Sequence, residues 1–314
     1  MLTATQKNTA QAIINIFETG VVLGDYSQVT LIEGDTGHLT FGRSQTTLGS
    51  GNLSELLKQY CANLGARFAA RLTPYLPALT ARDVALDSDL KLHNLLRASA
   101  DDLVMRDTQD NFFDTFYWQP AARAAARDGI VSPLGVVVVY DSFVHGSWKA
   151  MRDRTRKQVS DVTRAGEQKW ITTYIATRRV WLAGLSRADL RATIYRMDAF
   201  QRLIDQGYWG LTLPLVVRDS EISLASLSAS PPGCYAGPIP GSRRLTLRTP
   251  LLRGLDVRLL QVGLSELGME IKADGIFGQT CYRLMKEYQS ARGLPTTGVA
   301  DVSQVLQLTK GLWR

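Results

Sequence analysis

An amphipathic helix that stops on a glycine constrains the start of this chain more than any other feature in it. Ala10, Ile13, Ile14 and Phe17 recur at helical spacing and lay an apolar stripe along one face. Gly20 ends the stripe, because glycine takes the left-handed conformation that closes helices. Glu18 falls in the last turn, one turn beyond Ile14, at the border of the buried face. Partial desolvation and the negative end of the helix dipole both disfavour a carboxylate there, so its pKa is expected above the ordinary value. A carboxyl that keeps its proton near neutrality is suited to proton donation. Asp35 stands in the turn Gly34-Asp35-Thr36-Gly37, where solvent and turn amides keep an acid ionised. One neutral and one ionised acid is the asymmetry by which glycosidases divide their two roles. Spacing alone is weak support, since 29 acidic residues allow many chance pairs.

Composition bounds the remaining readings. With 314 residues, 45% apolar and 21% charged, the chain is long enough for one large or two smaller cores, and wholesale disorder is excluded. The longest apolar run, Val136 to Val139, is far short of a membrane span. The segment MLTATQKNTAQ has no apolar signal core. Cys61, Cys234 and Cys281 have neither metal nor redox spacing, and their odd number argues against a disulfide framework; they read as buried or incidental thiols. His38, His93 and His145 are scattered, so no metal site is expected. The formal charge is +7, and residues 245–314 hold nine Lys and Arg against six Asp and Glu, so the excess is spread along the chain. Such a balance favours polyanionic partners, including bacterial wall. No nucleic-acid motif accompanies it.

Residues 53–72 predict a helix with Ser54 as its cap, broken by Pro74 and Pro77. A long helical pattern runs from Asp87 to Arg127, interrupted near Asp107–Asn111 and at Pro120. Within it, Phe112, Phe113, Phe116 and Trp118 read as core, some of them available to line a sugar cleft. Pro133 opens LGVVVVYDSFVHGSW, where the valines favour a strand while the proline and the length allow a buried helix. Asp141 inside that run is costly unless paired. Glu167–Leu185, with Trp170, Tyr174 and Trp181, predicts another helix, and Ser186 begins one that Gly207 ends. Residues 221–244 are dense in Ser, Pro and Gly and read as a linker or extended strap. In the last seventy residues the leucines form one helical stripe, Asp274-Gly275 a tight turn, and Gly293 a helix end.

The N-terminal stretch resembles the start of glycoside hydrolase family 46, the chitosanases, relatives of lysozymes. In that pattern a helix ends on the acid Glu, and a Gly-Asp loop and a threonine follow; Glu18, Gly34-Asp35 and Thr40 take those places. Tyr140-Asp141-Ser142 and His145-Gly146 resemble the family's central buried helix, which decides for a helix there. The run Arg196 to Arg202 and GYWGLTLPL resemble the close of the catalytic domain. The likeness covers about residues 8–218 and is poor between roughly 50 and 130. It implies a mainly α fold: an α+β, lysozyme-like, two-lobed catalytic domain with a small β element. It further implies inversion, with Glu18 as acid, Asp35 as base and Thr40 holding the water. That chemistry requires carboxyls about 6.5–9.5 Å apart. His38-Leu39 stands where the family usually has Gly-Tyr. Glu33 is a rival for Asp35, which is preferred because it follows the glycine. Tyr26, His38 and His145 are expected to contact sugar. Asp141 is expected to be structural, in a buried ion pair with arginines drawn from Arg178, Arg179 and Arg196.

Val257, Leu260-Gln261, Leu264, Leu267-Gly268, Asp274 to Gly278, Thr280, Tyr288-Gln289, Gly293-Leu294 and Thr297 to Asp301 resemble the small three-helix peptidoglycan-binding domain. The expected division is a catalytic domain at 1–220, a linker at 221–244 and a wall-binding domain at 245–314. Together the halves imply a muramidase that cuts the β-1,4 bond after N-acetylmuramic acid without metal or organic cofactor. A chitosanase is the alternative, and a noncatalytic wall-binding protein a third reading. Peptidoglycan strands are the expected partner of a monomer that neither binds nucleic acid nor inserts into membrane. Export without a classical signal peptide, to the periplasm or wall of a target bacterium, is expected. The route is either a phage endolysin's or a secretion effector's. The chain is similar to the lysozyme-like part of type VI secretion effectors, which implies an immunity protein in the producing cell.

Overall fold

The computed structural model describes residues 2–32, 34–43 and 45–313; Glu33, the rival of Asp35, lies outside them. In chain order come α1 (Ala4–Thr19), three short strands β1 (Val29–Thr30), β2 (Thr40–Phe41) and β3 (Thr46–Thr47), then α2 (Asn52–Cys61), α3 (Ala69–Leu72) and α4 (Leu76–Ala81). They are followed by α5 (Leu90–Ser99), α6 (Leu103–Phe113), α7 (Gln119–Arg127), α8 (Pro133–Val144), α9 (Trp148–Val159), α10 (Val162–Ala165) and α11 (Glu167–Ala183). Next are α12 (Ala188–Arg191), α13 (Tyr195–Asp205), β4 (Leu215–Val217), β5 (Ser220–Ile222) and α14 (Leu224–Leu227). The last three helices are α15 (Leu255–Glu266), α16 (Gln279–Ala291) and α17 (Val302–Leu308). The fold is mainly α, with 58% of residues helical. Contacts gather it into two compact units, Met1–Gly24 with Phe112–Ala229 and Asp25–Asn111 with Ser230–Arg314.

In the first unit the core lies around α8. Thr3 caps α1 through a reciprocal capping box with Gln6, and Gly20 closes it at φ +78°. Ala10, Ile13, Ile14 and Phe17 are buried, and burial of each large side chain stabilises by about 1.5–3 kcal/mol. The 133–144 run is a helix: Ser132 Oγ accepts from the Gly135 amide, and Pro133 occupies the first turn. Every residue from Leu134 to Ser142 is buried, so α8 is apolar on all sides because it is surrounded on all sides. Trp148, Trp170 and Tyr174 pack ring on ring beside it. Helix α6 runs unbroken through 107–111, contrary to expectation, and the break lies instead at Ala100–Asp102. Pro120 is tolerated in the first turn of α7, where its missing N–H costs little. A π turn, Asp114–Trp118, precedes it. Phe112 and Phe113 are buried as expected, but Phe116 is 50% exposed and is not core.

In the second unit β1, β2 and β3 form an antiparallel sheet, with Thr30 opposite Thr40 and Thr40 opposite Thr47. Helix α2 starts at Asn52 and stops at Cys61, so Ser54 is not its cap; the Ser54 hydroxyl is buried against Thr80 Oγ1 at 3.0 Å. Helices α15, α16 and α17 enclose their own core of Val257, Leu260, Leu264, Phe277, Leu284, Met285 and Val305. Gly275 at φ +77° makes the expected turn and Gly293 at φ +64° the expected helix end. The Ser/Pro/Gly-rich stretch 221–244 contains most of β5, all of α14 and a buried Cys234. Its Gly237 and Pro238 carbonyls accept from the Leu255 and Asp256 amides. All three cysteines are free. Among the described residues no group of three or more His, Cys, Asp or Glu is placed to hold a metal, and no helix is long and apolar enough to cross a membrane.

Candidate active site

Glu18 is where the helix pattern put it, one residue before the end of α1. The Tyr195 hydroxyl donates to the Phe17 carbonyl at 2.6 Å, and the Arg196 guanidinium lies 5.2 Å from the Phe17 ring, so α13 fixes the helix end. Arg196 Nη2 donates to Glu18 Oε1. Burial raises the Glu18 pKa above its ordinary value; Arg196 opposes this, and the Asp141 charge adds to it.

Asp141 anchors the network behind Glu18. Its carboxylate accepts from Arg178 Nη1 at 2.5 Å and from Arg196 Nη1 at 2.6 Å. All three side chains are almost or wholly inaccessible. Burial works against the Asp141 charge, but the two guanidiniums outweigh it and hold the carboxyl below its ordinary range. Arg179 was an expected member and is not one. It follows the buried Arg178 by one residue, which turns it about 100° around α11 toward solvent and Asp198 Oδ1, 2.6 Å away.

His145 follows the end of α8, and its Nδ1 lies 3.1 Å from Arg178 Nη2. Arginine only donates, so Nδ1 accepts and the ring proton resides on Nε2. Burial and the neighbouring Arg196 and Arg178 push its pKa down to about 4. Its neutral imidazole then keeps Nε2 as a hydrogen-bond donor.

Asp35 lies in the second unit, solvent-exposed, in a loop that closes onto the sheet. Its amide donates to the Ile32 carbonyl at 3.1 Å. Gly37 leaves room beside it, since a Cβ there would come within 2.9 Å of Asp35 Oδ2 and push the carboxylate aside. A groove of about 590 Å³ opens here, lined by Leu31, Ile32, Gly34, Asp35, Thr36, His38 and Asp87. Its mixture of apolar rim and few polar groups suits a pyranose. Thr40 heads β2, with Oγ1 donating to the His38 carbonyl at 3.0 Å.

His38 adopts φ +56°, a conformation glycine takes freely and a side chain takes at a cost of about 1 kcal/mol. Asp87 holds it there: Oδ2 is 2.8 Å from His38 Nδ1, and Oδ1 accepts from the Leu39 amide at 2.9 Å. Sequence reasoning missed Asp87, which is 49 residues away and carries no local mark. His38 itself lines the groove. Tyr26 does not fit a sugar contact: it is 8% exposed, and its hydroxyl donates to Asp110 Oδ1 at 2.8 Å. Burial raises its pKa, and its ring supports Arg43 from within the fold.

The glycosyl hydrolase family 46 model matches residues 12–215 of this chain. The chain belongs to that family. The peptidoglycan binding domain model matches residues 253–308. Within family 46 the chain is similar to the chitosanase of Bacillus subtilis strain 168, 26% identical over 234 residues that cover 70% of this chain and 84% of that one. Among solved structures it resembles a mutant chitosanase of Bacillus subtilis MY002 complexed with six GlcN units (TM-score 0.56, 26% identity, 71% and 98% of the chains covered). It also resembles a Gynuella sunshinyii family 46 chitosanase in complex with chitotetraose (TM-score 0.57, 26% identity, 71% and 99% covered).

Proposed function

We propose that this family 46 glycosidase is a muramidase that hydrolyses the β-1,4 bond after N-acetylmuramic acid. The observation that carries the substrate is the peptidoglycan binding domain match at residues 253–308 in the same chain. The charge of +7 supports it, since the wall is polyanionic whereas chitosan is a polycation that a basic protein repels. Protonated Glu18 donates to the glycosidic oxygen, and ionised Asp35 activates a water on the opposite face of the sugar, with inversion. Thr40 holds that water. Arg178, Arg196 and Asp141 keep Glu18 in place. The protein acts on the wall of a target bacterium as an antibacterial effector, and its producer needs an immunity protein.

The names of its relatives support chitosan as a second reading. Mass spectrometry of digests decides between them. Wild type on purified sacculi is expected to release muropeptides with reducing ends at muramic acid, and Glu18→Gln none, while both pellet with the wall. Release of glucosamine oligomers from chitosan with intact sacculi would replace the muramidase reading by the chitosanase one. No cleavage of either polymer would leave a wall-binding protein.

A further inference from the structure

Helix α15 of the wall-binding module is buried at every position from Leu255 to Ser265. A helix of a freely tethered three-helix module buries one stripe and shows the other to water. Here the second face lies along α5, a helix that also packs against β1 of the sheet beside Asp35. Asn94 of α5 is 1% exposed and spends its amide on the module. Nδ2 donates to Ser265 Oγ at 3.0 Å and to the Ile271 carbonyl at 2.7 Å, and Oδ1 accepts from the Ala273 amide at 2.8 Å. Arg258, also buried, donates to the Arg97 carbonyl at 2.9 Å and to Asp101 Oδ1 at 3.0 Å. At the rim Arg71 Nε meets Glu266 Oε1 at 2.6 Å.

The other end of α5 holds the loop of the proposed base. Next to Asn94, His93 Nε2 lies 3.0 Å from the Leu86 carbonyl and so ties the helix to the turn Val84–Ser88. That turn carries Asp87, whose two oxygens grip His38 and the Leu39 amide. Module, α5, Asp87 and the 34–40 loop are thus joined by buried or half-buried bonds without a gap.

We propose that the C-terminal module positions the Asp35 loop through α5, with Asn94, Arg258 and Asp87 as positioning residues, and is not only a wall anchor. The proposal rests on the reading of Asp35 as the base, so its test has one arm that needs no activity. In the 314-residue chain, Asn94→Ala is expected to raise amide hydrogen exchange at residues 34–40 several-fold, as is Asp87→Ala, with α11 protected as in wild type. Arg258→Lys makes the same comparison if Asn94→Ala fails to fold. Unchanged exchange at 34–40 in the folded variant would overturn the proposal. In the second arm, kcat on soluble peptidoglycan strands or glucosamine oligomers is expected to fall about 10- to 100-fold, as for a displaced reacting group. KM and sacculus pelleting are expected to stay at wild-type values. An anchor alone would leave soluble-substrate kcat unchanged, which would also overturn it. A wild type that cuts neither substrate would refute the glycosidase reading while the exchange arm still decided the coupling.

Discussion

Asp141→Asn asks whether charge holds the cluster beneath Glu18. Asparagine keeps the shape of the side chain and removes the anion between Arg178 and Arg196, which are 0% and 2% exposed. Two buried cations then face each other with only the partly exposed Glu18 as counter-charge. Removing one partner of a buried pair costs about 3–5 kcal/mol. For a folding unit near 150 residues, each kcal/mol lowers the melting temperature by about 2–4 °C, so a drop of about 6–20 °C is expected. Scanning calorimetry at pH 7 measures it. The pH dependence has a definite sign. Asp141 has a depressed folded pKa, so its contribution is full above the ordinary value of 3.8 and is lost only as pH falls through the lower folded value. The gap between wild type and variant therefore holds from pH 7 to 5 and narrows below pH 3.8. Activity supplies a second readout. Asp141 raises the Glu18 pKa, so the alkaline limb of kcat/KM should move to lower pH in the variant. A melting temperature within about 2 °C of wild type at pH 7 would refute the argument, since that is less than 1 kcal/mol on the same scale.

Glu18→Gln should melt no lower than wild type at pH 7. The folded Glu18 pKa is raised, so stability is full below the ordinary value of 4.5 and lost as pH rises; calorimetry should show the two proteins diverging above it. His145 has a folded pKa of about 4 against an ordinary 6.5, so the unfolded chain binds more protons between those values. Wild type should lose at most about 3 kcal/mol as pH falls across that window, and His145→Gln should show a shallower slope in denaturant titrations. Gly37→Ala places a methyl 2.9 Å from Asp35 Oδ2. It should cut kcat about 10-fold or more with little change in melting temperature; wild-type kcat would mean that the carboxylate does not act from its present position.

What was legible in the sequence was what neighbours in the chain decide. The stripe of α1, its closing Gly20 and the border position of Glu18 all follow from contacts within one helix, and the structure repeats them. The limits have equally physical causes. Valines 136–139 favour a strand by their branching, and they sit in a helix because that helix is enclosed on every side, which is a tertiary fact. On α11, Trp170, Tyr174 and Arg178 recur every four residues, so the stripe itself separates Arg178 from Arg179; hydrophobic periodicity simply does not count an arginine as buried. The same blindness hides the second face of α15. Arg258 and Ser265 look like surface residues, and they are buried because Asp101, 157 residues away, and Asn94, 171 residues away, meet them. Asp87 escaped notice for the same reason. A polar residue is cheap to bury only when its partner is already in place, and no local pattern can show a partner that the fold brings from so far along the chain. The two proposed acids could be picked out from their own turns together with the family resemblance, while the residues that hold them had to be seen in space.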